Sequence, residues 1–239
     1  MPDDDAIHPS QRILRHESPS HEGPGSVGDP ALIDAVSTFV EKHLGPVAHV
    51  FHEIVSEHVH IDVHVVAPRP ERNFWTLVTS GMAEKPMNVP NEPGFESVPR
   101  HTELMICLPP EWAVRHEAFR DERVYWPVRW LKKLARLPHE FNTWLGYGHT
   151  VPNGDPPQPF APSVRFSCML VAPPLSVSDD WGPIAVDDRR DVWVFGLYPL
   201  YPAEMEYKLA NGTEALLDRF DALELHDIVD VNRPSAVDP

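Results

Sequence analysis

Between His58 and Val65 apolar and polar residues alternate without interruption, and this run constrains the fold more than any other segment of the chain. An extended backbone sends successive side chains to opposite faces, so Val59, Ile61, Val63 and Val65 share one face and His58, His60, Asp62 and His64 the other. That is the pattern of a half-buried strand, with the polar side expected to be a partly exposed sheet face. Pro68 and Pro70 then break the run, and Phe74 to Ser80 begins a second β-rich segment that stops at Gly81. Strand, turn, strand is the opening unit of a sheet.

Length and composition set the scale. A chain of 239 residues suits one domain with a single core. The 28 prolines imply short, punctuated elements rather than a helical bundle. Thirty-six acids against twenty bases give a net charge of −16. This argues against nucleic acid, whose binding face needs clustered Lys and Arg; the acidity reads either as an aid to solubility alone or as favouring a basic partner. No apolar run is long enough to span a membrane, and the N-terminus MPDDDAIHPS is acidic, so neither a membrane span nor a secretory signal is expected and the protein reads as cytoplasmic. Cys107 and Cys168 each lie in an apolar run and read as buried free thiols.

Along the chain, residues 1–28 are rich in Pro, Gly, Ser and acid and are expected to form a disordered tail, leaving 29–235 as the domain. Asp29 and Pro30 supply the cap and first position of a helix with Leu32, Val36, Phe39 and Val40 on one side and Gly45 beyond its end. Residues 47–54 and 59–67 read as paired strands around a Ser56-Glu57 turn, followed by a strand over 74–80. Glu103 to Leu108 is apolar on both faces and reads as a central strand that Pro109-Pro110 ends. Pro127 suits the first position of a helix burying Trp130, Leu131 and Leu134, with Trp126 also in the core; Pro138 is expected to reset it into a short helical turn through Leu145. Residues 146–163 read as a long loop, 164–172 and 191–198 as strands, 202–210 and 213–223 as helices separated by Asn211-Gly212, and 227–231 as a last strand. The order gives an α+β (mixed α/β) fold: a single domain whose mostly antiparallel central sheet is covered by helices.

Candidate chemistry is sparse. His49, His52, Glu53, His58, His60, Asp62 and His64 crowd one stretch, and imidazole with carboxylate suits zinc. The HExxH spacing is absent, however, and alternate strand residues lie roughly 6.5–7 Å apart at Cα, so a row of them does not surround one ion. His60, Asp62 and His64 remain the only metal candidates, with a partner-recognition face as the alternative use, and no metal or other cofactor is expected. Ser80 lacks the GxSxG elbow; Gly81 is expected to give the strand end a positive φ or a close backbone approach, while the Thr79 and Ser80 hydroxyls satisfy turn amides. Gly146-Tyr147-Gly148 lies outside a strand-to-helix context and does not read as a phosphate loop. The apolar neighbours of Cys107 make it core filler. No coherent catalytic set emerges, so an enzyme is not expected.

The blocks HEIVSEHVHIDV, TLVTSGMAEKPM, ELMICLPPEW, WPVRWLKKLARLPHEFNTWLGYGHT, EMEYKLANG and DIVDVNR occur in an order that resembles the suppressor-of-fused domain family, specifically its bacterial single-domain type. The resemblance covers about His52 to Arg233. It implies a protein-binding domain: animal members are two-lobed regulators that hold a transcription factor through a short peptide, and bacterial members look like immunity proteins of polymorphic toxin systems. A basic toxin domain is therefore the first expected partner, and a short peptide of a host protein the second. Trp144, Tyr147, His149 and Asp155, where the helix gives way to the Pro-rich loop, are the expected partner-binding residues, aromatics at such a junction being usual anchors. The resemblance implies the same region, because the corresponding segment borders the peptide groove of the animal proteins. Leu137 and Gly148 lack the side chains that a polar peptide anchor would need.

Overall fold

Asp29 starts the first helix as its sequence context predicts. A computed structural model describes residues 28–53 and 59–237, and in it the Asp29 carboxylate accepts a hydrogen bond from the Ala31 amide at 3.0 Å. The helix α1 (Pro30–His43) buries Leu32, Val36 and Val40, one residue per turn, with Leu44 just after it. The proposed tail up to residue 27 and the Ser56-Glu57 turn lie outside the described residues.

Eight strands form one mixed sheet. They are β1 (Val47–Phe51), β2 (Asp62–Val66), β3 (Trp75–Ser80), β4 (Thr102–Leu108), β5 (Thr150–Pro152), β6 (Cys168–Ala172), β7 (Ile184–Asp187) and β8 (Arg190–Leu200). The spatial order is β1-β2-β3-β4-β8-β6-β5, with β7 paired to the start of β8. Every pairing is antiparallel except that of β4 with β8, which matches Thr102–Met105 to Trp193–Gly196. A parallel pair needs a crossover, and that crossover carries α2 (Glu122–Glu140), which covers one face of the sheet. Trp126, Trp130, Leu131 and Leu134 of α2 share a core with Val63, Leu77, Leu104 and Ile106. On the other face α1 packs over Val66, Val78, Met105 and Cys107. Val59, Ile61, Val63 and Val65 are all fully buried, each worth roughly 2 kcal/mol of hydrophobic stabilisation. Beyond β6, α3 (Pro202–Asn211) and α4 (Thr213–Ala222) close a third cluster through Leu216 and Phe220.

The polar side of β2 departs from expectation. Asp62 and His64 are each 1% exposed, because the face they share with Val66 lies toward α1 and is covered rather than open. Two prolines also mislead. Asp121, not Pro127, sets the start of α2: its carboxylate accepts from the Arg123 amide at 2.9 Å. Pro127 and Pro138 both lie inside the helix with their rings buried, so packing outweighs the backbone bond that each proline cannot donate. The long loop contains β5, paired to β6 through Thr150, Val151 and Pro152. The strand expected over 164–172 is regular only from Cys168, and β7 had no sequence signal. Residues 227–231 form no strand but a single parallel bridge from Ile228 to Cys107.

Candidate functional site

The segment expected to bind a partner is divided by its own burial. Trp144 is 6% exposed and His149 8%; their rings meet at a tilt with centroids 4.1 Å apart, and Phe95 meets Trp144 edge-on at 5.6 Å. Burial, followed by the Lys208 charge, pushes the His149 imidazole down to about 4, so it is neutral at physiological pH. Tyr147 is half-buried and donates its hydroxyl to the Glu214 carboxylate on α4; burial and that carboxylate both raise its pKa. Asp155 is exposed in the turn after β5. The structure thus brings Trp144 and His149 together beneath the surface. What the segment presents to solvent is Tyr147, the outer edge of β5 and Asp155.

The segment bearing His60, Asp62 and His64, of which the last two lie on β2, is organised by Asp62. Its carboxylate meets His52 Nδ1 at 2.9 Å, His60 Nε2 at 3.0 Å and the Glu53 amide at 3.0 Å. His64 turns the other way, with Nε2 2.9 Å from Ser80 Oγ. Among the described residues no three His, Cys, Asp or Glu side chains are grouped to hold a metal ion. The Ser80-His64 contact does not make a hydrolytic pair: both are sealed beneath α1, and Asp62 is committed to the other two histidines. Desolvation holds the His64 imidazole below its ordinary range. Both cysteines are free and buried, and desolvation pushes each thiol up to about 12, which leaves them inert.

Glu103 takes the role expected of the Thr79 and Ser80 hydroxyls. It is fully buried on β4 and accepts from the Gly81 amide at 2.8 Å, the Ala83 amide at 3.0 Å and the Thr79 hydroxyl at 2.6 Å. It therefore ties down the 3-10 turn Met82–Glu84 that follows β3. Gly81 has φ +121°, and a Cβ there would lie 1.8 Å from the His60 carbonyl oxygen, so both reasons for a glycine apply. No cation lies within ion-pair distance of Glu103 among the described residues. Desolvation accordingly pushes its carboxyl up to about 7.

A groove missed by sequence reasoning runs between the exit of β4, the start of α2 and the segment 224–233, with a volume of about 720 Å³. Trp112, Ala113, Val124, Ile228 and Val231 supply its apolar surface. The Trp112 indole donates to the Val124 carbonyl at 3.0 Å, which leaves only ring carbon to face the groove. The far wall is fixed along its length. Asp227 accepts from the Leu175 and Ser176 amides at 2.9 and 3.0 Å, the Val229 amide reaches the Cys107 carbonyl at 2.9 Å, and Arg233 binds buried Glu204 at 2.5 and 2.7 Å. Glu204 also accepts from the Tyr201 amide at 2.9 Å and the Ala236 amide at 2.8 Å. The signal for this groove lay in the PPEW and DIVDVNR blocks, which are far apart in sequence and irregular in backbone.

A family model described as suppressor of fused protein (SUFU) matches residues 57–234, well over half of the chain. The chain belongs to the suppressor-of-fused protein family. Two solved structures share the fold of this family member. A SUFU homolog from Neisseria gonorrhoeae FA 1090 superposes with a TM-score of 0.61 at 19% identity, over 87% of this chain and 96% of that one. A structure of the Sufu-Fu complex superposes with a TM-score of 0.55 at 14% identity, over 86% and 91%. Among curated protein sequences none matches. No helix among the described residues is long and apolar enough to cross a membrane.

Proposed function

We propose that this suppressor-of-fused domain is a non-enzymatic, cytoplasmic protein-binding module of the immunity type, which neutralises a basic toxin by holding it. The observation that carries this reading is the end of the sheet at β5. Among the described residues no strand pairs with its outer edge, half-buried Tyr147 lies before it and exposed Asp155 after it. This short edge can pair with the main chain of an extended segment, although Pro152 has no N–H to donate, and the neighbouring side chains select which segment. A net charge of −16 steers a basic partner toward the chain and repels an acidic one. Family membership supports the same reading, one solved relative being a complex of Sufu with Fu.

The test is co-expression with the reading frames adjacent to this one. A basic toxin domain encoded there should co-purify with the chain, bind it with submicromolar affinity and lose its toxicity. Absence of both a complex and growth rescue would overturn the proposal. The short length of the β5 edge favours a second reading, a regulatory module for a short peptide of a host protein; a peptide array that yields a linear binder while toxins do not would select it.

A further inference from the structure

The groove against segment 224–233 carries an unbalanced set of charges. Arg123 and Arg233 both line it, yet each is already engaged: Arg123 with Asp121 at 2.6 Å and Arg233 with Glu204 at 2.5 Å. The three carboxylates around it, Glu111, Glu224 and Asp230, are exposed, and among the described residues none has an ion-pair partner. Asp230 makes only a local bond, accepting from the Asn232 amide at 2.8 Å. The site therefore offers solvent an apolar floor surrounded by uncompensated negative charge.

We infer that this groove is a second docking site, and that its occupant is a short segment of the protein partner in which one apolar side chain is flanked on both sides by Lys or Arg. The apolar side chain sits on Trp112 and Val124, and the flanking cations reach Glu111 on one wall and Glu224 and Asp230 on the other. An acidic segment meets repulsion from all three carboxylates. A purely apolar one covers the floor but leaves the carboxylates partly desolvated and unpaired. Only a basic-flanked segment gains from both features, and the fixed far wall means that little ordering free energy is lost on binding. This inference rests on the reading of the chain as a binder of a basic protein, and it adds where and how such a partner is recognised away from β5.

The experiment uses the full chain and two labelled peptides, RKGLFGKR and its charge-reversed form EDGLFGDE, followed by fluorescence anisotropy and by the Trp112 indole resonance in a proton–nitrogen spectrum. RKGLFGKR should shift that resonance and bind about tenfold more tightly than EDGLFGDE, with affinity falling as salt rises. The exposed triple variant E111Q/E224Q/D230N should keep its unfolding midpoint, weaken RKGLFGKR about tenfold and flatten the salt dependence. Equal binding of the two peptides, or unchanged binding by the triple variant, overturns the groove. The two proposals fail separately. A cognate toxin held equally well by wild type and triple variant, with no peptide discrimination, removes the groove and leaves the immunity reading. Groove-dependent peptide binding with no toxin captured removes the immunity reading and leaves the groove.

Discussion

The centre of the sheet and the start of α3 each contain a glutamate sealed from solvent, and the fold stabilises the two by opposite means. Glu103 sits on β4 among hydrogen-bond donors with, among the described residues, no cation in ion-pair distance, and its carboxyl is pushed up to about 7. Glu204, on the first turn of α3, has two amide donors and a two-pronged Arg233. Proton uptake neutralises the first charge, and a fixed guanidinium the second. The difference follows from position. A strand interior offers amides from the neighbouring turn but no room for a long basic side chain, whereas the C-terminal segment can lay Arg233 over Phe166, Tyr201 and Phe220 with ring centroids about 5 Å away. A buried carboxylate is thus a clamp in both places, and at Glu103 the clamp is sensitive to pH.

The largest effect should come from breaking the fixed pair. Arg233→Ala leaves Glu204 buried without its cation and should cost about 4 kcal/mol in chemical denaturation. A loss under about 1 kcal/mol would mean that the amides alone suffice and would erase the contrast with Glu103. Next is the pH profile. The folded pKa of Glu103 is raised above its ordinary 4.5, so the folded state holds a proton that the unfolded state releases. That contribution is fully present below about 4.5 and is lost as pH rises through about 7, amounting to at most about 3 kcal/mol. Glu103→Gln should flatten this component of the stability–pH curve; an unchanged curve would show that Glu103 does not titrate there.

Glu103→Ala should cost about 2 kcal/mol at pH 6, because the Gly81 and Ala83 amides lose their acceptor. The loss should be smaller at pH 8, where the alanine also removes a buried charge, and a larger loss at pH 8 would reverse the assignment. The smallest effect is expected from Asp29, which binds both an amide and an arginine, Arg190 at 2.6 Å, but in partial contact with water. Asp29→Ala should cost about 1 kcal/mol, the usual value of a helix cap. A cost equal to that of Arg233→Ala would show that burial is not what separates the two classes of carboxylate.

The sheet framework was legible where one side of a strand packs on a core, since that leaves a period of two in the sequence; β2 and β3 are examples. Periodicity cannot say whether the opposite side is also covered. His60, Asp62 and His64 therefore read as a polar surface, although α1, itself legible from Asp29 to Gly45, lies across that side. Pro127 read as a helix start because proline favours that position, while the actual cap, Asp121, resembled any acidic loop residue. In the candidate segment at residues 144–155 the inward turn of Trp144 and His149 goes with a ring contact to Phe95, far away in sequence, that no local pattern encodes. The groove was invisible for a related reason: its walls come from residues near 112 and 228, and its charge imbalance appears only once Arg123 and Arg233 are seen to be engaged elsewhere.

The single parallel pairing at the centre of the sheet sets a timetable for the growing chain. β4 emerges roughly ninety residues before β8, the strand that completes its far side. At synthesis rates of about 5–20 residues per second this interval is on the order of ten seconds. During it a strand that is buried along its whole length in the finished fold has one bare edge, the kind that pairs with other nascent chains. Net negative charge, read above as a means of attracting a partner, then has an earlier task on the ribosome: keeping half-made copies of this sheet apart.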